Sequence, residues 1–197
     1  FNLVEATQDT GAFVMYSSAL KRLAVKLSKI ANDLRLLSSG PRTGLNEIEL
    51  PQMQAGSSIM PGKVNPVIPE VVNQIAYKVI GNDLTITMAA EAGQLELNAM
   101  EPVIAQSLFE SINMLEQGMR VFKERCIKGI QANESRMKEM VQNSIGTVTA
   151  LVPILTYDVC SELAKEALAT DTGIYDLILA KKLLSKEMPQ RSGRRPL

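Results

Sequence analysis

One short stretch of the sequence combines several groups that could hold a small acid. Residues 56–66 read Gly-Ser-Ser-Ile-Met-Pro-Gly-Lys-Val-Asn-Pro. This stretch supplies two hydroxyls, a fixed positive charge and an amide, and its glycines let the backbone come close to a ligand. It leads into a predicted helix, whose N-terminal N–H groups favour an anion. These residue types together predict a binding site for a small carboxylate.

Two other interpretations of the stretch are weaker. A flexible linker rich in serine could contain a lysine, but it would not require eleven residues in this order. A phosphate-binding P-loop does not fit, because no Ser or Thr follows the Gly62-Lys63 pair and no strand pattern precedes it. The order Gly-Ser-Ser-x-x-Pro-x-Lys-x-Asn instead closely resembles the signature of the fumarase/aspartase superfamily.

The resemblance to this superfamily extends over residues 1–186. Residues 30–36 and 39–42 are similar to segments that the fumarases share, whereas residues 67–74 and 91–98 are more similar to aspartases. The resemblance implies a cytoplasmic carbon–nitrogen lyase of amino-acid metabolism, which eliminates ammonia from L-aspartate to give fumarate without a cofactor or a metal. It also implies a homotetramer in which three segments from three subunits surround each dicarboxylate substrate.

The resemblance further implies roles for individual residues. Ser57, as an alkoxide, would remove a proton from the carbon next to the substrate's β-carboxylate. Glu70 would pair with an active-site histidine, although an acid at this position could also simply favour the N-terminus of the next helix. The groups that would bind the substrate and its developing charge are Ser58, Ile59, Met60, Lys63 and Asn65.

The sequence contains no histidine. Any step that needs an imidazole must therefore use a segment or a chain other than this one. Because the chain also starts at Phe1, we expect it to be the C-terminal part of a longer protein and to be inactive alone. Two alternatives remain open: a class II fumarase, which adds water to fumarate, and a helical association module that carries out no chemistry.

Composition favours an all-α protein. Tryptophan is absent and aromatic residues make up 4% of the chain, a balance that suits helices packed on helices. Lysine plus arginine equals aspartate plus glutamate, at 21 each, so neither nucleic acid nor a membrane is expected as a partner. Cys126 and Cys160 have no metal-binding or redox spacing and are expected to be reduced, buried thiols.

The elements that position the motif are predicted to be long helices of a bundle, over residues 1–130. The first helix should present one apolar face made of two interleaved seven-residue series. The loop after it, with a catalytic segment at 53–66, should lead into a helix from residue 67 that is apolar nearly all round and therefore buried. The two series are Leu20, Leu27, Leu34 and Leu23, Ile30, Leu37.

The rest of the chain shows shorter helical patterns. A third long helix is predicted from Pro102 to about Gly129, and Asn133 is a plausible N-cap of a short helix. Another helix is expected over residues 157–169. We therefore predict a small helical domain at 131–186, followed by a disordered or non-native tail at 187–197.

Overall fold

Helices contain most of the residues that the structure describes, which confirms the predicted all-α class. The computed structural model describes residues 2–54, 64–170 and 172–183. The chain divides into two units, Phe1–Ala132 and Asn133–Leu197.

The first unit is built on three long helices. A short helix α1, Leu3–Gln8, precedes α2, Gly11–Leu37; α3 spans Val67–Glu91 and α4 spans Glu101–Arg125. Helix α3 packs between α2 and α4. A 3₁₀ turn, Ile127–Gly129, follows α4, and a two-residue strand β1, Ile48–Glu49, pairs antiparallel with β2, Gln131–Ala132. This ladder joins the loop after α2 to the end of α4.

The contact face of α2 is narrower than predicted. Two alanines with no exposed surface, Ala24 and Ala31, lie between partly buried leucines, and α3 packs over them. Leu23 and Ile30 instead remain 37% and 45% exposed, so the prediction that both series share the buried face is wrong for them. The small alanine side chains let α3 approach on their side of the helix, which turns the second series away. The leucines that pack are Leu20, Leu27 and Leu34.

Helix α3 buries one face only. Val72, Val79 and Ile86 are buried against the neighbouring helices, whereas Leu84 and Met88 are exposed. The prediction of a helix buried all round is therefore wrong for this chain, because its two neighbours, α2 and α4, leave the face with Leu84 and Met88 uncovered. No helix in the described part of the chain is both long and apolar enough to cross a membrane.

A buried carboxylate joins α2 to α3. Asp83 accepts a hydrogen bond from the Ser17 hydroxyl at 2.8 Å and one from Lys21 Nζ at 2.5 Å. Buried charges are tolerated when they are paired and hydrogen-bonded, and both conditions hold here. The pair fixes the middle of α3 against the first half of α2.

The second unit is a group of short helices. It contains α5, Glu134–Asn143, a 3₁₀ helix, Ile145–Leu151, α6, Tyr157–Thr170, and α7, Ile174–Ala180. The Asn133 side chain accepts a hydrogen bond from the Arg136 amide, which confirms the predicted N-cap. Leu163, Ile174 and Ile178 form the core.

Both cysteines are free thiols in the interiors of their units, as predicted. Burial away from water raises the pKa of the Cys126 thiol, because the charged thiolate is poorly solvated there. Cys126 packs with Ala31, Val72 and Phe122 in the core between α2, α3 and α4. It therefore acts as a small apolar side chain.

Candidate active site

The end of α2 and the beginning of α3 form the frame of the site. At the end of α2, the Ser38 amide and hydroxyl both donate to the Leu34 carbonyl, at 3.0 and 2.7 Å. At the beginning of α3, the Val67 amide donates to the Asn65 carbonyl at 2.9 Å. Local hydrogen bonds therefore define both helix ends that flank the predicted catalytic segment.

The loop after α2 folds back on the helix end. The amides of Asn46 and Glu47 donate to the carbonyls of Ser39 and Leu37, at 2.7 and 2.9 Å. Gly44 lies so close to Ser39 that a Cβ atom on it would come within 2.4 Å of the Ser39 carbonyl group. Only glycine fits this position, so the close packing of the loop depends on it.

A cleft of about 450 Å³ lies between the two helix ends. Its polar lining comes from both sides of the frame. Helix α2 and the residues after it contribute four polar side chains, and the residues just before and within the first turn of α3 contribute two. A neighbouring cavity of about 280 Å³ shares Ser38, Gly40, Val64 and Pro66 with it. These polar side chains are those of Asn32, Arg35, Ser38, Ser39, Asn65 and Glu70.

The structure brings two of the predicted site residues together. Asn65 lies two residues before α3, and Glu70 lies in the first turn of that helix. Both are half-buried, and both line the same cleft. Val64, which directly follows the predicted lysine in the sequence, also lines it. The other predicted residues lie outside the described part of the chain, so their positions stay predictions. They are Ser57, Ser58, Ile59, Met60 and Lys63.

The described lining of the cleft carries one positive and one negative side chain. Arg35 lies in the last turn of α2, where the helix dipole favours a cation, and Glu70 lies in the first turn of α3, where it favours an acid. The Arg35 guanidinium donates to Asn73 Oδ1 at 3.2 Å. With the amide of Asn65, these groups suit a small polar ligand better than an apolar one.

Sequence reasoning did not select Arg35, Asn32 or Ser39. Their helical position was evident, but which face of α2 meets the start of α3 depends on packing between segments some 30 residues apart. The residues around Ser38 gave one available signal: polar side chains immediately before a glycine- and proline-rich loop that precedes the motif. Within residues 2–54, 64–170 and 172–183, no cluster of histidine, cysteine or carboxylate side chains could hold a metal ion.

Comparisons with known proteins place the chain in a family. A family model described as lyase matches residues 1–81, and a model of the fumarase C C-terminus matches residues 148–191. The aspartate ammonia-lyase of Helicobacter pylori is 61% identical over 186 residues, which are 94% of this chain and 40% of that protein. The aspartate ammonia-lyase of Escherichia coli K12 is 57% identical over 94% of this chain. The chain belongs to the fumarase/aspartase superfamily.

Solved structures of related proteins share the fold of this chain. A fumarate lyase:delta crystallin from Brucella melitensis has a TM-score of 0.87 and 58% identity, covering 92% of this chain and 39% of that one. A class II fumarase from Schistosoma mansoni has a TM-score of 0.85 and 36% identity, covering 93% and 38%. The chain thus spans about two fifths of the length of these relatives.

Proposed function

We propose that the protein to which this chain contributes is an aspartate ammonia-lyase, converting L-aspartate to fumarate and ammonia. The observation that carries the proposal is the degree of similarity: 57–61% identity to aspartate ammonia-lyases, against 36% to a class II fumarase, over nearly the whole chain in each case. The cleft beside Asn65 and Glu70 supports it, because its polar, charged lining suits a small dicarboxylate.

The elimination requires a base for a weakly acidic C–H bond. Ser57, as an alkoxide, takes the proton from the carbon next to the β-carboxylate, and the electrons of that bond move into the carboxylate. The resulting aci-carboxylate then forms the carbon–carbon double bond as the C–N bond breaks, and ammonia leaves with the electron pair. A serine hydroxyl is a poor base at its free pKa, so it needs nearby positive potential and N–H donors.

The remaining motif residues stabilise the negative charge. Lys63 binds a carboxylate as a point charge, Asn65 adds an amide donor, and the backbone N–H groups of residues 58–60 hold the developing charge. One preorganised donor of this kind typically contributes about 3–4 kcal/mol to transition-state stabilisation. Glu70 orients an active-site histidine. That histidine must come from another segment, because this sequence contains none.

The site is proposed to be shared between subunits of a homotetramer. Leu84 and Met88 are exposed on the outer face of α3 and support association between subunits. Proteins in solution seldom leave several large apolar side chains along one helix exposed unless another surface covers them. The cytoplasmic location stays a prediction.

The alternative within the superfamily is hydration of fumarate to malate. It is favoured by the likeness to the Schistosoma mansoni class II fumarase, whose fold the chain shares at a TM-score of 0.85. Both reactions would use the same serine base and the same dicarboxylate frame, so the substrate tested decides between them.

The test follows fumarate absorbance with L-aspartate or L-malate as substrate. The 197-residue chain is assayed alone and co-expressed with the part of the Helicobacter pylori relative that it does not span. We expect fumarate from L-aspartate in the co-expressed assembly only. Turnover of malate alone would assign a fumarase, and no turnover by an assembly shown to associate would favour a non-catalytic module.

A further inference from the structure

Asn73 is a buried asparagine nearly two turns into α3, and both its amide nitrogen and its oxygen make hydrogen bonds. It is 2% exposed. Its Nδ2 donates to the carbonyl of Ser28 at 3.1 Å and to the hydroxyl of the same residue at 2.9 Å. Its Oδ1 accepts the hydrogen bond from Arg35 Nη1 at 3.2 Å. Asn73 therefore attaches α3 to two points of α2 that lie two turns apart.

The beginning of α3 has little local support of its own. Pro66 is the N-cap residue and makes no side-chain capping bond, and Pro69 in the first turn has no amide hydrogen to donate. Besides the hydrogen bonds within the helix itself, the Val67 amide donates to the Asn65 carbonyl and the Glu70 amide to the Pro66 carbonyl. The position of the turn must therefore come from contacts with other elements, among them α2 and, through Ile68, the end of α4.

Arg35 connects this buried attachment to the cleft. It lines the same cleft as Asn65 and Glu70, and it also bonds to Asn73, one turn beyond Glu70 on α3. A planar guanidinium keeps its hydrogen-bonding geometry better than an ammonium group does. Arg35 can therefore hold the distance between the end of α2 and the beginning of α3.

We propose that Arg35 is a positioning residue of the site. Through Asn73 it fixes the first turns of α3 against α2, and this places Asn65 and Glu70 at the edge of the cleft. The catalytic consequence rests on the proposed function, whereas the positioning itself rests on the structure of this chain.

A second buried asparagine on α3 provides a matched control. Asn82 is 4% exposed, accepts a hydrogen bond from Lys78 Nζ at 3.0 Å, and donates to the Ser111 hydroxyl at 3.0 Å. Like Asn73, Asn82 is a buried amide that accepts a hydrogen bond from a basic side chain. Neither Asn82 nor Lys78 lines the cleft. Substitutions here should therefore cost stability without moving the site.

The first experiment measures hydrogen–deuterium exchange in the 197-residue chain. In Arg35→Met, the amides of residues 70–74 should exchange about tenfold faster than in the wild type, while those of α4 keep their rates. Arg35→Lys should fall between the two, because a point charge replaces the planar group. The control Lys78→Met should leave residues 70–74 unchanged. Unchanged exchange in Arg35→Met, or an equal increase throughout α2, α3 and α4, would overturn the proposal.

The second experiment measures steady-state kinetics on L-aspartate in the co-expressed assembly. Arg35→Met and Asn73→Ala should each lower kcat at least tenfold, since a displacement of about 1 Å in a site can cost that much or more. The double variant should be no worse than the more affected single one, because both act through one contact. Asn82→Ala, at a comparable loss of Tm, should keep kcat.

The two experiments distinguish a failure of the positioning proposal from a failure of the proposed function. If the wild-type assembly turns over L-aspartate but Arg35→Met keeps the kcat of Asn82→Ala, the positioning proposal fails and the proposed function stands. If the wild-type assembly is inactive on L-aspartate, the proposed function fails, and the exchange rates of residues 70–74 still decide whether Arg35 positions α3.

Discussion

Gly129 and Pro51 are in such close contact that a Cβ atom on Gly129 would lie 2.4 Å from Pro51 Cγ. Gly129 ends the 3₁₀ turn after α4, and Pro51 follows strand β1, which pairs with β2 just beyond that turn. A pyrrolidine ring cannot rotate out of the way as a flexible side chain can. The contact therefore holds Pro51, just after strand β1, against the turn that follows α4.

The first prediction concerns this contact. Gly129→Ala should lower the free energy of unfolding by about 1–3 kcal/mol, the usual cost of overpacking, and thermal denaturation would measure it. Gly81→Ala is the matched control, because a Cβ atom there meets nothing within 4 Å inside helix α3. It should stabilise the chain by up to about 1 kcal/mol. A Gly129→Ala chain as stable as the wild type would show that Pro51 can move freely.

The second prediction concerns the ion pair between Lys21 and Asp83. Lys21→Met leaves the Asp83 carboxylate, which is 5% exposed, with the hydrogen bond from Ser17 but without its cation, and this should cost about 3–5 kcal/mol. Asp83→Asn should cost less, about 1–3 kcal/mol, because the Lys21 side chain is 43% exposed and can reach water. Urea denaturation of both variants measures the difference. Equal losses, or a larger one for Asp83→Asn, would contradict this account.

The helices themselves could be predicted well from the sequence. Apolar spacing together with glycine and proline placed three long helices. The end of α2 and the start of α4 fall close to the predicted positions, whereas α4 ends at Arg125, one turn before the predicted end near Gly129. The choice of buried face could not be predicted, because two heptad series on α2 are equally apolar. The alanines between the leucines of one series decided it, since they admit α3.

The site could be predicted only in part. The motif revealed the chemistry of its own residues, because their types and order are unusual in a linker. The bond between Arg35 and Asn73 joins positions 38 residues apart on different helices. No periodicity within either helix relates such a pair, so only the packed structure brings it to light.

The third prediction is a dependence of stability on pH. The Asn82 amide donates to Glu110 Oε2 at 2.9 Å and Lys78 Nζ lies 3.0 Å from the same atom; together these contacts lower the pKa of Glu110 below its ordinary value of 4.5. Because the folded-state pKa is the lower one, Glu110 stabilises the fold above pH 4.5, and this contribution is lost as the pH falls through the lowered value.

Glu110→Gln should therefore weaken the loss of stability in acid. Between pH 6 and pH 3, the Tm of the wild type should fall further than that of the variant, by a small amount because Glu110 is partly exposed to solvent. Differential scanning calorimetry across this pH range provides the comparison. Parallel Tm curves for the two chains would show that the contacts with Asn82 and Lys78 do not favour the charged form.

The fourth prediction tests the proposed base. In the co-expressed assembly, Ser57→Ala should lower kcat for L-aspartate by about 10²- to 10⁴-fold, the usual contribution of a positioned general base. Ser161→Ala, a serine of α6 in the other unit, is the matched control and should keep kcat. Lys63→Met should mainly raise KM, because Lys63 is proposed to bind a carboxylate in both the ground and the transition state. Near-wild-type turnover by Ser57→Ala would remove the base assignment while leaving the lyase assignment intact, since elimination would then need another proton acceptor among the segments that meet at the cleft.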